Sequence, residues 1–383
     1  MTVFVEDTPR NNLAAWTSEA VGDGLVHGAV LSPFSSPWVG NTYKPSAQRI
    51  VEQLLDAGAE VWLDPATHAL QMPGVGDFRY YDGWDLWGGD RGDLTTRAAR
   101  RDHVLRVLQV QSQLGLRRLA PAVLLHSATG AAADAAFALA EEAVSADPEC
   151  WVTIAGSPTF WAEASDLDAL VGAIAQLGSD GYFLVVVRPT ADLPVAADPD
   201  EVAGLCRTAR SLEQFGHVHI SHGDFAGLPA VAAGASSVGT GWDSRQRVCN
   251  YTSYVARDPA TGGGGWFKRP TFAGLFGFLA RADAERLVAQ DAALGARLHP
   301  GALHPDAPKE AFLHHARCLR DLSEGLRGLD FEPAFQLLLA DYERATGDWP
   351  LAAQAASVNP MDGVWVAPLR AGLVRYGQLE GWT

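Results

Sequence analysis

The segment WVTIAGSPTFWAEASDLDALVGAIAQLGSDGYFLVVVRP, residues 151–189, decides the fold. It begins with a short, mostly apolar segment at 151–157 and ends with another at 182–189, the second of which is rich in Val and Leu. Uniformly apolar strands of this kind are typical of parallel sheets that are covered on both faces. The segment between them has the apolar periodicity of an amphipathic helix and ends at Gly178, so the whole stretch predicts one strand–helix–strand unit.

The same order of strand, helix and glycine recurs about every 30 to 35 residues, which requires parallel strands with right-handed crossovers. We therefore predict an α/β fold, a (β/α)8 TIM-like barrel with extra C-terminal helices. An open doubly wound sheet is the alternative, and the absence of a GxGxxG motif after the first strand disfavours it. Seven candidate strands are apparent, with an irregular eighth unit: 28–34, 60–65, 118–125, 151–157, 182–189, 217–221 and 236–241.

The pattern changes after the last of these strands. CNYTSYVARDPATGGGGWFKRP (249–270) is typical of a long loop, in which four consecutive glycines favour mobility. We predict two parts, a barrel with long βα loops at 1–270 and a mainly helical extension packed on it at 271–383. The stretch VWVAPL (364–369) predicts a late strand. The helical segments of the extension each have a long apolar stripe: 271–297, 308–327 and 331–345.

The composition limits the classes of function. A net charge of −16 disfavours a broad surface for nucleic acid or anionic membrane, because phosphates are bound mainly by Lys and Arg. No apolar run is long enough to cross a bilayer, and the N-terminal sequence lacks the features of a signal peptide. The four cysteines are widely spaced and form no CxxC pair, which disfavours a disulfide framework and a cysteine zinc site. We therefore expect a cytoplasmic protein without a membrane partner.

The functional side chains of a parallel barrel follow the carboxyl ends of its strands. Asp64 directly follows an apolar strand, and Pro65 stops the chain from continuing into a helix. A carboxylate at this place can act as nucleophile or general base, or it can only cap a turn. We predict Asp64, Asp243 and His222 as catalytic residues. The predicted substrate-binding residues also lie at strand ends or in the loops that follow: His68, Trp84, Trp87, Ser157, His219, Asp224, Gly239, Gly241, Trp242 and Arg245.

The stretch HVHISHGDF (217–225) places three histidines and an aspartate close together. His217 and His219 share one face of a strand, and an HxH pair can bind zinc. Because His217 starts the strand, whereas site residues follow strand ends, we predict no metal. Neutral imidazoles at His219 and His222, tuned by Asp224, are one interpretation, and purely structural histidines are the other.

Two further segments suggest contacts with a ligand. The loop QMPGVGDFRYYDGWDLWGGDRGDL (71–94) is rich in aromatic and acidic residues, which suits a lid or platform for a flat or sugar-like ligand. A loop packed on its own aromatic side chains is the alternative. GASSVGTG (234–241) resembles the glycine turns that hold phosphate in many barrels, although its glycines also suit ordinary tight turns. We predict no cofactor.

Three segments resemble the tRNA-guanine transglycosylase family of TIM barrels. DPATHALQ (64–71) is similar to the family's aspartate motif after an apolar strand. SHGDFAGLPAVAAGASSVGTGWDSRQR (221–247) is similar to its stretch of helix, strand, aspartate and arginine pair, and EAFLHHARCLRDLSEGLRGLDFEPAF (310–335) to its late helix. The family's zinc cysteines are absent from this chain. The resemblance implies an enzyme that exchanges one nucleobase for another by means of strand-end aspartates.

The sequence therefore predicts a barrel enzyme that acts on a nucleobase-, nucleoside- or sugar-like substrate, with aspartate chemistry of glycosyl transfer or hydrolysis. Two other interpretations stay open. One is a phosphate- or flavin-binding barrel enzyme, and the other is a non-catalytic barrel that serves as an interaction subunit. We expect a small-molecule or nucleoside-like substrate as the partner. The charge disfavours nucleic acid, and a homodimer stays open.

Overall fold

The computed structural model describes residues 2–8, 10–256, 269–363 and 365–383. The side chains of Ser244 and Arg245 are not part of this description. The four glycines at 262–265, which the sequence places in a long loop, lie outside the described residues as well.

Eight parallel strands form a barrel, in which β8 pairs with β1 and each later strand except β4 lies beside the strand that precedes it in the chain. The segment between β3 and β5 closes the cylinder, because Arg117 bridges to Trp62 and Leu119 bridges to Trp151. The predicted α/β class, a (β/α)8 TIM-like barrel, is therefore confirmed, because the bridges at Arg117 and Leu119 join the two edges that an open sheet would leave unpaired. The strands are β1 (Val3–Glu6), β2 (Gly28–Leu31), β3 (Glu60–Leu63), β4 (Leu124–Leu125), β5 (Val152–Gly156), β6 (Gly181–Val186), β7 (His217–Ser221) and β8 (Ser237–Thr240).

The first strand, β1, is missing from the strands that the sequence predicts. It precedes all of them, so HVHIS is the seventh strand rather than the sixth, and SSVGTG contains the eighth. The four residues of β1 give a weak signal, because so short an apolar run near the terminus carries no periodicity. Pairing with β2 on one side and β8 on the other places the strand inside the sheet, where all four residues are buried.

Helices cover the outside of the barrel, and their starts follow from local sequence. The Ser46 hydroxyl accepts a hydrogen bond from the amide of Arg49 at the start of α2. Asp198 and Glu201 form a capping box at the start of α7. The helices of this part are α1 (Asn11–Gly22), α2 (Ala47–Asp56), α3 (Arg97–Gln113), α4 (Ala131–Ala146), α5 (Pro158–Trp161), α6 (Ser165–Ala175), α7 (Pro199–Leu212), α8 (Leu228–Ala232) and α9 (Ser244–Arg247).

The C-terminal part is mainly helical and packs on the barrel. Its elements are β9 (Thr271–Phe272), β10 (Gly277–Phe278), α10 (Arg281–Gln290), α11 (Ala292–Leu298), α12 (Pro308–Arg327), α13 (Phe331–Ala356) and α14 (Val366–Glu380). Helices α12 and α13 contact α8, and α14 contacts α7. Their buried side chains join the same apolar cluster as the outer layer of the barrel. The domain boundary at residue 270 stays a prediction. Among the described residues, no helix is long and apolar enough to cross a membrane.

Two details of this part differ from the prediction. The segment 271–297 begins with the small antiparallel pair of β9 and β10, and its first helix starts only at Arg281. The late strand predicted from VWVAPL is wrong, because Val366 begins α14. Val366, Leu369 and Leu373 are all buried, and their spacing is that of one helical face.

Large side chains fill the barrel beneath its carboxyl-terminal end, which we call the barrel mouth. Trp62 stacks on Phe4 with 4.0 Å between ring centroids, and its ring lies 5.0 Å from that of Trp151. The His219 ring lies 4.8 Å from that of Trp62 and 5.0 Å from that of Phe183. These rings form the floor of the barrel mouth, and the polar residues at the strand ends lie above it.

Candidate functional site

A carboxylate that the sequence did not single out, Glu6 at the end of β1, occupies the centre of the barrel mouth. It is only 1% exposed. Its Oε1 accepts a 3.0 Å hydrogen bond from the backbone amide of His222 and lies 3.5 Å from Nε2 of His219. Its Oε2 lies 3.8 Å from Nε2 of His222. A β-carbon at Gly239 would collide with Oε1, so glycine in β8 is what leaves room for this carboxylate.

His222 follows β7 in a left-handed conformation with a φ of 52°, which is unfavourable for a residue other than glycine. Its Nδ1 lies 2.7 Å from the carbonyl oxygen of Gln246. A carbonyl only accepts, so Nδ1 carries a proton and donates it. Nε2 is the other ring nitrogen, and it faces Oε2 of Glu6 at 3.8 Å, which is beyond hydrogen-bond distance. This arrangement makes His222 a candidate for proton transfer.

Two buried carboxylates at the barrel mouth have pKa values that are shifted in opposite directions. Burial by itself raises the pKa of Glu6, but His222 and His219 outweigh it, and the pKa lies below its ordinary value. Asp64 follows β3, and its Oδ1 accepts a 2.8 Å hydrogen bond from the amide of Ala66. Burial raises the pKa of Asp64, and its neighbours offset only part of that effect. Opposite shifts of this kind are typical of acid and base partners in active sites.

Asp7 lies beside this pair at the rim of the barrel mouth, in a left-handed conformation with a φ of 52°. Its carboxylate accepts a hydrogen bond from the Ser35 hydroxyl. The Lys44 ammonium donates a 2.7 Å hydrogen bond to the carbonyl of Ser35 and attracts the carboxylate of Asp7. Burial nevertheless raises the pKa of Asp7 to about 6. The rim therefore carries a group that changes its charge near neutral pH.

Replacing Asp7 with Asn should remove a pH dependence of stability between about pH 4 and pH 6. An acid whose pKa is higher in the folded protein holds its proton more tightly there, so the free energy of unfolding falls as pH rises through this range. Asn tolerates the left-handed conformation as Asp does and keeps an acceptor for Ser35. Urea unfolding across this pH range should show that the free energy of unfolding of Asp7→Asn increases relative to that of the wild type as the pH rises. Parallel profiles would contradict the raised pKa.

The structure brings the three predicted residues Asp64, His68 and His222 together at the barrel mouth. His68 is 1% exposed, and its pKa is lowered by burial, although Asp64 partly offsets this. Asp243 lies half-buried at the rim. Burial raises the pKa of Asp7, and the negative charge of Asp243 raises it further. The catalytic roles of Asp64, Asp243 and His222 and the substrate-binding role of His68 stay predictions, but these residues share one site.

His219 lies within the barrel, directly beneath the centre of the mouth. It is fully buried, its Nδ1 lies 2.8 Å from the Ser237 hydroxyl, and its Nε2 faces Glu6. The expectation that Asp224 tunes His219 and His222 is wrong, because Glu6 is the carboxylate that contacts both imidazoles. His219 therefore supports Glu6 from below.

Asp224 and Trp242 lie on the side of the C-terminal helices. The Asp224 carboxylate is 2% exposed and lies 3.2 Å from Nε2 of His315 in α12. The Trp242 ring lies 3.4 Å from that of Phe312, also in α12. Gly241 directly precedes Trp242 in the chain. In this position, Asp224 and Trp242 join the barrel to α12 rather than line the mouth.

The aromatic loop at 71–94 packs on protein side chains. Trp84 is 2% exposed, and its Nε1 donates a 2.8 Å hydrogen bond to the carbonyl of Ser36. Trp87 stacks on His103 with 3.7 Å between ring centroids. Within the loop, Nε1 of Trp87 donates a 3.1 Å hydrogen bond to the Tyr81 hydroxyl, so the structure favours the interpretation of a packed loop.

The segments that suggested a metal or phosphate site have other structural positions. In the part of the chain that the structure describes, no three His, Cys, Asp or Glu side chains converge as metal ligands. His217 is exposed at the start of β7, as predicted. Residues 237–240 of GASSVGTG form β8, which pairs with β1 and β7 instead of making a phosphate turn. The Ser157 hydroxyl accepts a hydrogen bond from the amide of Phe160 and so caps α5. The side chain of Arg245 is outside the described residues.

Four residues at the barrel mouth are not predicted from the sequence: Glu6, Asp7, Cys249, whose Sγ lies 3.9 Å from Nε2 of His68, and Tyr254, whose hydroxyl lies 3.8 Å from that Sγ. FVED (4–7) carries the same signal that singled out Asp64, an apolar strand that ends in an acid. Glu6 and Asp7 are not predicted, because the short run of β1 is not recognisable as a strand from the sequence. Cys249 and Tyr254 follow β8 in a segment without periodicity, and no sequence signal connects them with His68.

The fold and the site define a (β/α)8-barrel protein whose mouth combines buried carboxylates with histidines. No protein-family model and no curated protein matches the sequence. Solved structures of other proteins are nevertheless similar to the chain.

The first is a psychrophilic glycoside hydrolase family 10 endo-beta-1,4-xylanase, at 9% identity and a TM-score of 0.37 over 67% of this chain and 94% of that one. The second is an L-ribulose 3-epimerase, at 15% identity and a TM-score of 0.39 over 86% of this chain and 96% of that one. The third is a probable tagatose 6 phosphate kinase from Sinorhizobium meliloti 1021, at 11% identity and a TM-score of 0.34 over 100% of this chain and 99% of that one. The class of the protein rests on its own strand order and site geometry.

Proposed function

We propose that the protein is an enzyme that breaks or exchanges a glycosidic bond in a nucleoside- or sugar-like substrate. The observation that carries this proposal is the pair of Glu6 and Asp64, two buried carboxyl groups at one barrel mouth with opposite pKa shifts. Glycosidic bonds are cleaved by such pairs, in which one carboxyl group donates a proton and the other acts as base or nucleophile.

Asp64 is the proton donor in this proposal. Its raised pKa favours the protonated form, which can transfer a proton to the leaving group as the bond breaks. The amide of Ala66 fixes Oδ1, which leaves Oδ2 for the substrate. The Asp64 side chain is therefore held in one orientation before the substrate binds.

Glu6 is the ionised partner. Positive charge develops on the sugar ring as a glycosidic bond breaks, and an anionic carboxylate stabilises it or forms a covalent bond to the sugar. The imidazoles of His219 and His222 favour the anion by lowering the pKa of Glu6. Nε2 of His222 can take up or return a proton beside Glu6, because its Nδ1 is engaged with Gln246.

A base exchange is the more specific form of this reaction, and the resemblance of DPATHALQ (64–71) to the transglycosylase motif supports it. The departing base takes a proton from Asp64, and an incoming base returns a proton when the new glycosidic bond forms. Hydrolysis differs only in that water replaces the incoming base. A small molecule or nucleoside is the substrate in both cases.

The proposal is tested by incubating the purified protein with ribonucleosides, deoxyribonucleosides and aryl glycosides. Chromatography then measures the free base or free aglycone. A parallel reaction with isotope-labelled guanine or adenine detects exchange without net hydrolysis. Cleavage or exchange of at least one compound is expected. If all compounds stay intact, with no label incorporated, the proposal fails.

Asp64→Asn should lower the turnover of such a substrate by about 100-fold or more, because Asn has no proton to donate. The amide oxygen of Asn still accepts the hydrogen bond from Ala66, so we expect the melting temperature to change little. Asp56→Asn, at the exposed end of α2, is the matched control and should keep full turnover. An Asp64→Asn protein with wild-type turnover would remove Asp64 from the mechanism.

A further inference from the structure

A buried thiol, Cys249, contacts the barrel mouth from the segment after β8. The backbone holds it there, since the Arg188 amide donates a 2.9 Å hydrogen bond to the Cys249 carbonyl. The amide of Tyr251 in turn donates a 3.0 Å hydrogen bond to the carbonyl of Arg188. Cys249 is 2% exposed, so its side chain has a defined place between the barrel and its neighbours.

The Sγ of Cys249 lies 3.9 Å from Nε2 of His68 and 3.8 Å from the hydroxyl of Tyr254. Burial raises the pKa of Cys249 and lowers that of His68, so the thiol keeps its proton and the imidazole is neutral. A protonated thiol can donate only to a ring nitrogen that lacks a proton, so this contact favours the neutral imidazole whose Nε2 accepts from the thiol. In that tautomer the imidazole proton lies on Nδ1.

The Nδ1 of His68 has no hydrogen-bond partner in the described part of the chain. His68 is 1% exposed, so water does not satisfy this group freely. Burying an unpaired donor is unfavourable, and ligand sites are where proteins retain such groups. Asp64 lies close enough for each charge to shift the pKa of the other, which places the unpaired nitrogen within the site.

We infer that Cys249 is a positioning residue whose thiol holds His68 in the Nδ1–H tautomer, so that His68 presents a hydrogen-bond donor beside Asp64 to a carbonyl or hydroxyl oxygen of the ligand. This role rests on the proposed function, because it assumes that a ligand binds at the barrel mouth. Cys249 acts only through His68 and takes no part in bond breaking.

Nitrogen NMR of protein labelled with ¹⁵N-histidine tests this role without any turnover. The His68 signals are assigned from their loss in His68→Gln. In the wild type, Nδ1 should be protonated and Nε2 should not. In Cys249→Ala, the ratio of the two tautomers should move toward Nε2–H by about fivefold, which corresponds to one ordinary hydrogen bond. Cys249→Ser, which keeps a donor, should restore part of the wild-type ratio.

Cys206→Ala is the matched control, because Cys206 is equally buried but lies in α7, away from His68. It should leave the His68 tautomer unchanged. A wild-type protein with Nε2–H at His68, or a Cys249→Ala protein with an unchanged tautomer ratio, would overturn the inference. The NMR result is independent of the substrate assay, so a failure of the proposed function and a failure of this role are distinguishable.

Discussion

Glu6→Gln should lower turnover by about 10³ to 10⁴-fold, the largest loss expected for any single residue of the site. Gln has nearly the same shape, and its oxygen can still accept the hydrogen bond from the amide of His222. It cannot carry the negative charge that stabilises the sugar ring or attacks it. The variant should therefore fold, and the lost activity should appear in the rate of the chemical step. Steady-state kinetics with a substrate from the nucleoside and glycoside set measures this loss.

The matched control is Glu60→Gln, the same substitution at the opposite end of the barrel. Glu60 starts β3 and binds Arg117 at 2.7 Å, far from the strand ends that carry the site. The amino-terminal face of such barrels serves stability, so Glu60→Gln should keep its turnover even if its melting temperature falls. Wild-type turnover in Glu6→Gln would show that Glu6 is only a structural acid.

Asp224→Ala should lower the free energy of unfolding by about 3 to 5 kcal/mol. The Asp224 carboxylate lies 3.2 Å from Nε2 of His315 and 3.8 Å from Nε of Arg247, and it accepts a 3.1 Å hydrogen bond from Thr240. Arg247 is 1% exposed, so removing the Asp224 carboxylate leaves the buried positive charge of Arg247 less well compensated by negative charge. Urea unfolding near neutral pH measures the difference.

The loss should become smaller as the pH falls. Burial raises the pKa of Asp224, but His315 and Arg247 outweigh it, so the pKa lies below the ordinary value. A lowered acid pKa gives stability that is present above the ordinary pKa and is lost as pH falls through the lowered one. Asp82→Ala is the control, because Asp82 pairs with Arg91 at the surface, and it should cost no more than about 1 kcal/mol. If Asp224→Ala lost activity but no stability, Asp224 would belong to the site after all.

The part of the site that could be predicted from the sequence is the part that follows a recognised strand. Asp64 was found because an apolar run directly precedes it, and His222 because it ends a clear strand. Glu6 follows an apolar run of the same length, but that run lies near the terminus and is not preceded by the helix and glycine that mark the other strands of the repeat. The cap residues Ser46 and Asp198 are local signals as well, and both helices begin where they predict.

The side of the barrel that a loop residue faces could not be predicted in this way. Asp224 lies two residues after His222, yet Asp224 contacts α12 whereas His222 contacts Glu6. Both residues have positive φ values, so the chain turns sharply between them. Neither local spacing nor composition specifies such a turn, because the packing of α12 and the room left by Gly239 determine it.

The sequence by itself determined the repeat of strands and helices, since apolar periodicity and helix caps depend on neighbouring residues only. It also placed Asp64 and His222 at strand ends. Only the tertiary structure decided that Glu6 lies between His219 and His222 and that Cys249 contacts His68. These groups are distant in the chain and meet because the barrel closes β1 against β8. Their pKa shifts have the same origin, because burial and charged neighbours arise only when the barrel closes.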